Sequence, residues 1–496
     1  MKAVYNNKYL SIVHEEGDTT KRRFLKFDGD EVVSPYTKFE VERAKCGLGG
    51  LVHLRCCYNN KYLQVNHTGT TIHDRYLLCA MGEEPEEDQS KWTCTLLKPV
   101  CADQGDASRV RFWHVQRKAY VSGLKMENSL YNNNLCLSAE EVGGGNGYHP
   151  CQELLVTDWD SLVILPRYIA LTEFGYSYLG ACSIQGHPCL QFSPSFNNGD
   201  PTVVNQLFTN GDGSVRIKSV HFGKFWRRTD HYNYIWVDAD DETSCDDPDC
   251  LFWPVKVDYD QNVIALQNLG NKMFVKRFTL YGGRRFSMES GLSAFHTSVL
   301  GMGRMGVEEA VVSRRIYNVR FRAEDARIYN QHIEKLATGL IAGGSILDAK
   351  VEDIVLTYTD SKKSTWNNIV SLKFGVKTHI RSEVPFVENG KVEILDDFEG
   401  ECCWGEVRTV DKKMESVVKA VVKPLSSVKI VLKAARAHCD VPFSYTQCDT
   451  LLNGEQVLYE MDDGVYTGIN YFNFQTEITD EISDPFFADY VTVRRD

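Results

Sequence analysis

A short pattern repeated six times in the first 300 residues constrains this chain more than any other feature. Tyr5-Asn-Asn-Lys-Tyr-Leu10 recurs as Tyr58-Asn-Asn-Lys-Tyr-Leu63. Looser copies follow at Gln116-Arg-Lys-Ala-Tyr-Val121, Gly175-Tyr-Ser-Tyr-Leu179, Gly223-Lys-Phe-Trp-Arg227 and Gly270-Asn-Lys-Met-Phe-Val275. The aromatic of each copy falls at Tyr9, Tyr62, Tyr120, Tyr178, Phe225 and Phe274, in steps of 53, 58, 58, 47 and 49 residues. Alternating stretches precede several copies, among them Leu51-Val-His-Leu-Arg55, Val110-Arg-Phe-Trp-His114 and Val263-Ile-Ala-Leu266. A period of two that ends in a Gly/Asn turn and restarts on an aromatic marks a β-hairpin.

A hairpin cannot bury its apolar face alone, and three of them packed about a pseudo-threefold axis form a closed solution. Six units therefore predict two tandem β-trefoils, over 1–155 and 167–300. Between them, Asp158-Trp-Asp-Ser-Leu-Val-Ile-Leu-Pro166 predicts a short turn or helical linker over 156–166 that ends on proline. The 496 residues are too many for one core and suit about three domains.

The trefoil spacing ends past Val311. From Val370 to Arg381 the alternation is nearly strict, with Val370, Leu372, Phe374, Val376, Thr378 and Ile380 on one face. Lys391-Val-Glu-Ile394 and Ser427-Val-Lys-Ile-Val-Leu-Lys433 add further amphipathic strands, so 313–496 is expected to be a third, elongated β-module. The fold class is all-β.

No uninterrupted apolar run approaches the ~18 residues of a membrane helix, so any insertion would have to use β-hairpins. A net charge of −12 argues against general nucleic-acid binding, which depends on Lys and Arg neutralising phosphates. The first residues contain no apolar stretch of signal-peptide type, so residence in the cytoplasm, with access to the nucleus, is expected. The 16 cysteines are then expected to be reduced thiols packed as small apolar groups.

Three patterns resemble chemistry. Gly301-Met-Gly-Arg-Met-Gly306 matches a dinucleotide fingerprint, but no helix-strand alternation surrounds it. A glycine linker over 301–312 is the expectation. The acidic run from Asp238 to Glu242 and on through Cys245 to Cys250 lacks calcium-loop spacing, and its two cysteines lack zinc-site partners. Neither H-E-x-x-H nor G-x-S-x-G occurs. A protein without catalytic constellation, cofactor or metal is expected.

Over its first 305 residues the chain resembles the amaranthin-type plant agglutinins. The resemblance rests on Phe39-Glu-Val-Glu42, Gly50-Leu-Val-His53, Glu84-Pro-Glu-Glu87 and Trp92-Thr-Cys-Thr-Leu-Leu-Lys-Pro99. It continues through Asp158-Trp159, Cys189-Leu-Gln-Phe192, Lys224-Phe-Trp-Arg227, Tyr234-Ile-Trp-Val-Asp238 and Val275-Lys-Arg-Phe278. It implies two trefoil lectin domains that bind galactose-type sugars, including N-acetylgalactosamine and the T-antigen disaccharide, at a shallow site between subunits. The family's sugar loop maps onto Asp74, Arg75, Tyr76 and Leu77, where only the tyrosine matches. Asp74 can accept hydroxyl protons, Arg75 can donate, and Tyr76 can stack on a sugar ring. Leu77 replaces an aromatic platform.

Residues 311–496 resemble the aerolysin-type pore-forming module. The matching pieces are Thr365-Trp366, Val384-Pro-Phe-Val-Glu-Asn-Gly-Lys391, Trp404-Gly-Glu406, Val441-Pro-Phe443 and Asp462-Asp-Gly-Val-Tyr-Thr-Gly468. The resemblance implies oligomerisation into a transmembrane β-barrel, with the hairpin at about 381–401. Val384, Phe386, Val392 and Ile394 are the lipid-facing candidates, while Glu388 and Asp396 share their parity at a cost in hydrocarbon. The two resemblances together imply a lectin that targets a pore-forming module to glycosylated membranes as a homo-oligomer in plant defence. The alternative is an intracellular interaction scaffold that keeps both folds without sugar or pore.

Overall fold

The computed structural model describes residues 1–13, 23–46, 49–66, 71–72, 75–103, 106–126, 129–138, 150–173, 177–184, 186–230, 232–242, 247–257, 262–279, 289–299, 301–343, 347–369, 378–380, 382–395, 402–424 and 426–482. Their elements are β-strands joined by short 3-10 turns, so the chain is all-β as expected. Contacts divide it into two compact units. One holds Met1–Arg320, Asn368–Ile380 and Ser444–Gly464, and the other holds Phe321–Asn367, Arg381–Phe443 and Val465–Asp496.

In the first unit the repeat explains itself at its turns. Asn7, Asn60, Lys118, Gly223 and Lys272 each stand two residues before a repeat aromatic, and each has a φ between 49° and 65°. That left-handed conformation is open to glycine and tolerated by asparagine, and it reverses the chain tightly enough for the next strand to pair back. The aromatics then turn inward: Tyr9, Tyr62, Tyr120 and Phe225 are buried.

Twelve strands from Lys2–Ala3 to Leu154–Leu155 form the first sheet, and twelve from Tyr168–Glu173 to Met305–Glu309 form the second. Both close on themselves. Lys2 pairs with Leu155 and Ala3 with Leu154, while Ile169 pairs with Glu309 and Thr172 with Gly306. Between the two sheets, Asp158 caps a 3-10 turn over Trp159–Ser161, and Leu165 enters the second core.

The second closure corrects the glycine-linker expectation. Gly301–Gly303 is a 3-10 turn, and Met305–Glu309 is the last strand of the second trefoil. Gly306 is needed there because a Cβ would lie 2.4 Å from Thr172 Oγ1 on the paired strand. Residues 370–377, most of the strictly alternating stretch, lie outside the described residues. Of the remainder, His379–Ile380 runs parallel beside Arg315 and Ile316.

The second unit is built from long strands. Arg327–Ala342 pairs antiparallel with Ser426–Leu451, and Lys350–Asn368 with Arg408–Val422. Ile341, Leu356, Ala420, Val422, Val428, Ile430 and Leu432 make a core from all four. The strand pairs approach closely at Gly339, where a Cβ would meet Ile354 Cδ1 at 2.3 Å.

Four of the pieces that carry the pore-module resemblance converge on one aromatic cluster. Trp366 meets Tyr466 with ring centroids 5.0 Å apart, and Trp404 meets Phe443 at 5.9 Å. Phe321 touches both Phe443 and Tyr466, at 5.4 and 6.2 Å. Gly405 N–H donates to the carbonyl of Trp366 at 2.8 Å, which ties the two tryptophan segments together.

Candidate functional site

Three residues were expected to bind sugar, and the structure places one of their side chains. Asp74 lies outside the described residues, and only the backbone of Arg75 is described. Arg75–Tyr76 pairs with Thr71–Ile72 as a small separate hairpin, with Ile72 opposite Arg75 and Thr71 opposite Tyr76. Tyr76 is 37% exposed, and the Arg117 guanidinium lies over its ring at 4.4 Å from the centroid. The cation packs against one face of this partly exposed ring.

Arg117, which packs on the Tyr76 ring, is not revealed by the loop sequence. It stands in the turn of the third repeat, Gln116-Arg-Lys118, and its backbone N–H donates to Nδ1 of buried His114 at 3.1 Å. No sequence signal points to Arg117, because the turn of the third repeat meets the loop of the second only in the folded chain.

Leu77 does not stand where a sugar platform would. It is 1% exposed, bridges to Cys136 and packs with Cys79 and Leu124. Its backbone pairing turns the side chain inward, so an apolar residue is required there.

Four carboxylates of the acidic run, Asp238, Asp240, Asp241 and Asp249, are paired with neighbouring cations. Asp238 takes both Nε and Nη2 of Arg227, at 2.9 and 2.7 Å. Asp249 does the same with Arg228, Asp241 receives Lys218, and Asp240 receives Lys224. Cys245 lies outside the described residues. Cys250 is buried beside Asp247, and burial pushes its thiol up to about 12.

In the second unit, the expected membrane hairpin is a hairpin. Val384–Glu388 pairs with Lys391–Leu395 through Asn389 and Gly390, both at positive φ. The register corrects the assignment of its faces. A two-residue turn sets Val384 opposite Leu395, Pro385 opposite Ile394, Phe386 opposite Glu393 and Val387 opposite Val392. Val384 and Phe386 therefore do not share a face with Val392 and Ile394. One face carries Val384, Phe386, Glu388, Lys391 and Glu393; the other carries Pro385, Val387, Val392 and Ile394 and is wholly apolar. Glu388 pairs with Lys391 beside the turn, on the mixed face. Asp396 lies outside the described residues.

Asn470 ties the hairpin to the strand Gln456–Ile482. Asn470 accepts from the Val387 N–H at 2.9 Å and donates to the Val387 carbonyl at 2.8 Å, both buried. The amide thus completes the backbone pairing of a residue at the hairpin's centre.

Solved structures similar to the chain include a lamprey immune protein, at 12% identity and a TM-score of 0.30, covering 64% of this chain and 91% of that one. An aerolysin-like protein of Bombina maxima is similar at 12% identity and 0.24, covering 34% and 99%. A Polyporus squamosus lectin is similar at 8% identity and 0.23, covering 31% and 50%. No curated protein matches. A family model described as the Agglutinin domain matches residues 1–146 and again 165–294, the two trefoils in order and more than half of the chain. The chain belongs to the agglutinin-domain family.

Proposed function

We propose that the protein is a lectin for galactose-type glycans, with its sugar site on the 74–76 loop, and that its C-terminal β-module inserts in glycosylated membranes. Tyr76 carries the sugar half of the proposal. It is an exposed ring, backed by Arg117, on an agglutinin-domain loop, and a flat aromatic face with donors beside it suits the C–H side and hydroxyls of a pyranose. Assembly of several chains on one surface would raise avidity, and a homo-oligomer suits both halves. Cytoplasmic storage and a role in plant defence belong to the same proposal.

The apolar hairpin face supports the membrane half. Pro385, Val387, Val392 and Ile394 present no charge to lipid, while Glu388, Lys391 and Glu393 lie on the side that would face a wet lumen. Each arm has five residues, and a crossing needs about 9–11, so insertion requires the arms to lengthen into their flanks. It also requires release of Val387 from Asn470.

Isothermal titration with N-acetylgalactosamine and the T-antigen disaccharide tests the sugar half, with Tyr76→Ala as control. Heat that is lost in the variant supports the site. Equal heat in both proteins moves the site elsewhere, and no heat in either leaves the scaffold alternative in front.

A further inference from the structure

The strand Ser177–Ile184 turns back into His187–Ser193, and the two pair antiparallel from Tyr178 opposite Ser193 to Ile184 opposite His187. This register sets Cys182 directly opposite Cys189. Opposed residues share a face of the sheet, and their Cα atoms stand about 4.5–5.5 Å apart. A disulfide spans about 4.4–6.8 Å between Cα atoms, so the pair can be bridged without moving the strands.

The shared face is the outer one. Ala181 and Leu190, next to the two cysteines, enter the core of the second trefoil, which leaves Cys182 and Cys189 on the opposite side. Cys182 is half-buried, and its thiol lies 3.7 Å from Oε1 of Gln191, two residues past Cys189 on the same face. Cys189 is buried and stands opposite Trp236 of the strand Ile235–Ala239. That indole stacks on exposed His187, with ring centroids 4.4 Å apart. Both cysteines are free thiols. Burial pushes both up, Cys189 to about 11, and the charge of neighbouring Cys182 adds to the Cys189 shift. One thiol is therefore open to a small reagent, and the other waits behind it.

We propose that Cys182 and Cys189 are a redox-modification site that closes to a cross-strand disulfide on contact with a low-molecular-mass disulfide such as oxidised glutathione. The Cys182 thiolate attacks one sulfur of the reagent and expels a glutathione thiolate, which leaves a mixed disulfide. The Cys189 thiolate then attacks Cys182 Sγ, the Sγ–Sγ bond forms and the second glutathione thiolate departs. The two cysteine protons end on the two released thiols; the protein loses two electrons and the reagent gains them. The bond would staple this hairpin where the small-thiol pool is oxidising and open again where it is reducing. It depends on neither the sugar site nor membrane insertion.

The test treats the full chain with oxidised glutathione at pH 7 and pH 8, followed by an acid quench, trypsin and mass spectrometry. The segment released between Arg167 and Arg216 holds these two cysteines and no others. It should lose two hydrogens and resist alkylation until it is reduced. Closure should be about tenfold faster at pH 8, since the thiolate fraction rises with pH below the thiol pKa. Hydrogen exchange over 178–184 and 187–193 should slow at least about tenfold in the closed form. Cys182→Ser, at the half-buried position, should show neither change. A stable glutathione adduct on Cys182, or a segment that still alkylates at both thiols after oxidation, overturns the proposal. So does a Cys182→Ser chain whose exchange slows equally, because another bond would then be responsible. The mapping of the unaltered chain decides the matter even where a variant folds poorly.

Discussion

Tyr58 donates a hydrogen bond to the carboxylate of Asp462, 2.7 Å away and 404 positions along the chain. Tyr36 donates to the same oxygen at 3.0 Å, with the two phenol rings 4.8 Å apart. Lys38 adds a bond from its ammonium to the Ile369 carbonyl at 2.9 Å. The first trefoil is thereby joined, within the first compact unit, to two segments from the last third of the chain. The second trefoil is joined in another way: Arg314, just past its closing strand, grips Asp449 through Nε and Nη2 at 2.7 and 2.8 Å and also holds Glu309.

The shared acceptor makes the two tyrosines interdependent. Tyr58→Phe and Tyr36→Phe should each cost about 1–3 kcal/mol, because a phenol bonded to a carboxylate contributes more than a neutral pair. Their effects should not add in a double-mutant cycle by denaturant unfolding. Strict additivity would mean that the two bonds act separately.

Asp463, next in sequence, behaves differently. Burial is the main cause that pushes its carboxyl up to about 6, while the Tyr445 hydroxyl at 3.1 Å partly offsets it. A raised folded value means that the folded chain takes up a proton before the unfolded one, whose value is 3.8. The contribution is fully present below about pH 4 and is lost as pH rises through about 6, on the order of 3 kcal/mol across that window. Asp463→Asn should remove this part of the pH dependence of unfolding. An unchanged profile in the variant would show that another group is responsible.

Glu334 has the opposite sign. Hydrogen bonds from the Tyr471 hydroxyl at 2.6 Å, from Arg436 and from His332 hold its carboxyl at about 2. Its contribution is present above the unfolded value of 4.5 and is lost as pH falls through about 2. Tyr471→Phe removes the largest cause, so the acid limb of unfolding in the second unit should move to higher pH. No movement of that limb would place the control on Arg436 instead.

The hairpin register separates two substitutions that parity alone would treat alike. Ile394→Asp puts a charge on the wholly apolar face, whereas Phe386→Asp puts one on the face that already carries Glu393. Dye release from liposomes bearing galactose-terminated glycolipid should fall further for Ile394→Asp, since a lipid-facing carboxylate costs up to a few kcal/mol. Equal loss from both would return the faces to the even-numbered assignment.

Release of the hairpin should depend on Asn470. With Asn470→Ala the Val387 N–H and carbonyl lose their partner, which costs about 1–3 kcal/mol where both are buried. Hydrogen exchange at 384–395 should quicken, and dye release should begin sooner. Unaltered exchange in the variant would mean that other contacts hold the hairpin.

Much of the architecture is visible in the sequence because it is local. The Tyr-Asn-Asn-Lys-Tyr pattern encodes a left-handed turn residue two places before an inward aromatic, and both depend on a few neighbouring residues. The tryptophan, Pro-Phe and Gly-Val-Tyr pieces of the last third are legible as motifs, although nothing in their spacing shows that Trp366, Trp404, Phe443 and Tyr466 share one cluster. Tyr76 is legible through the family loop. Arg117 is not, because it reaches that ring from a different repeat.

The sequence by itself determined an all-β chain with two tandem repeat domains and a strand-rich third, since alternation and turn chemistry act over two to six residues. Only the tertiary structure decided that Met305–Glu309 closes the second trefoil, that Leu77 is buried, that Pro385 and Val387 face with Val392 and Ile394, and that Asp462 serves two tyrosines of the first trefoil. Each of these depends on which strands pair and in what register. A shift of one residue turns every side chain to the other face, and that choice is made by burial across hundreds of residues rather than by the residues themselves.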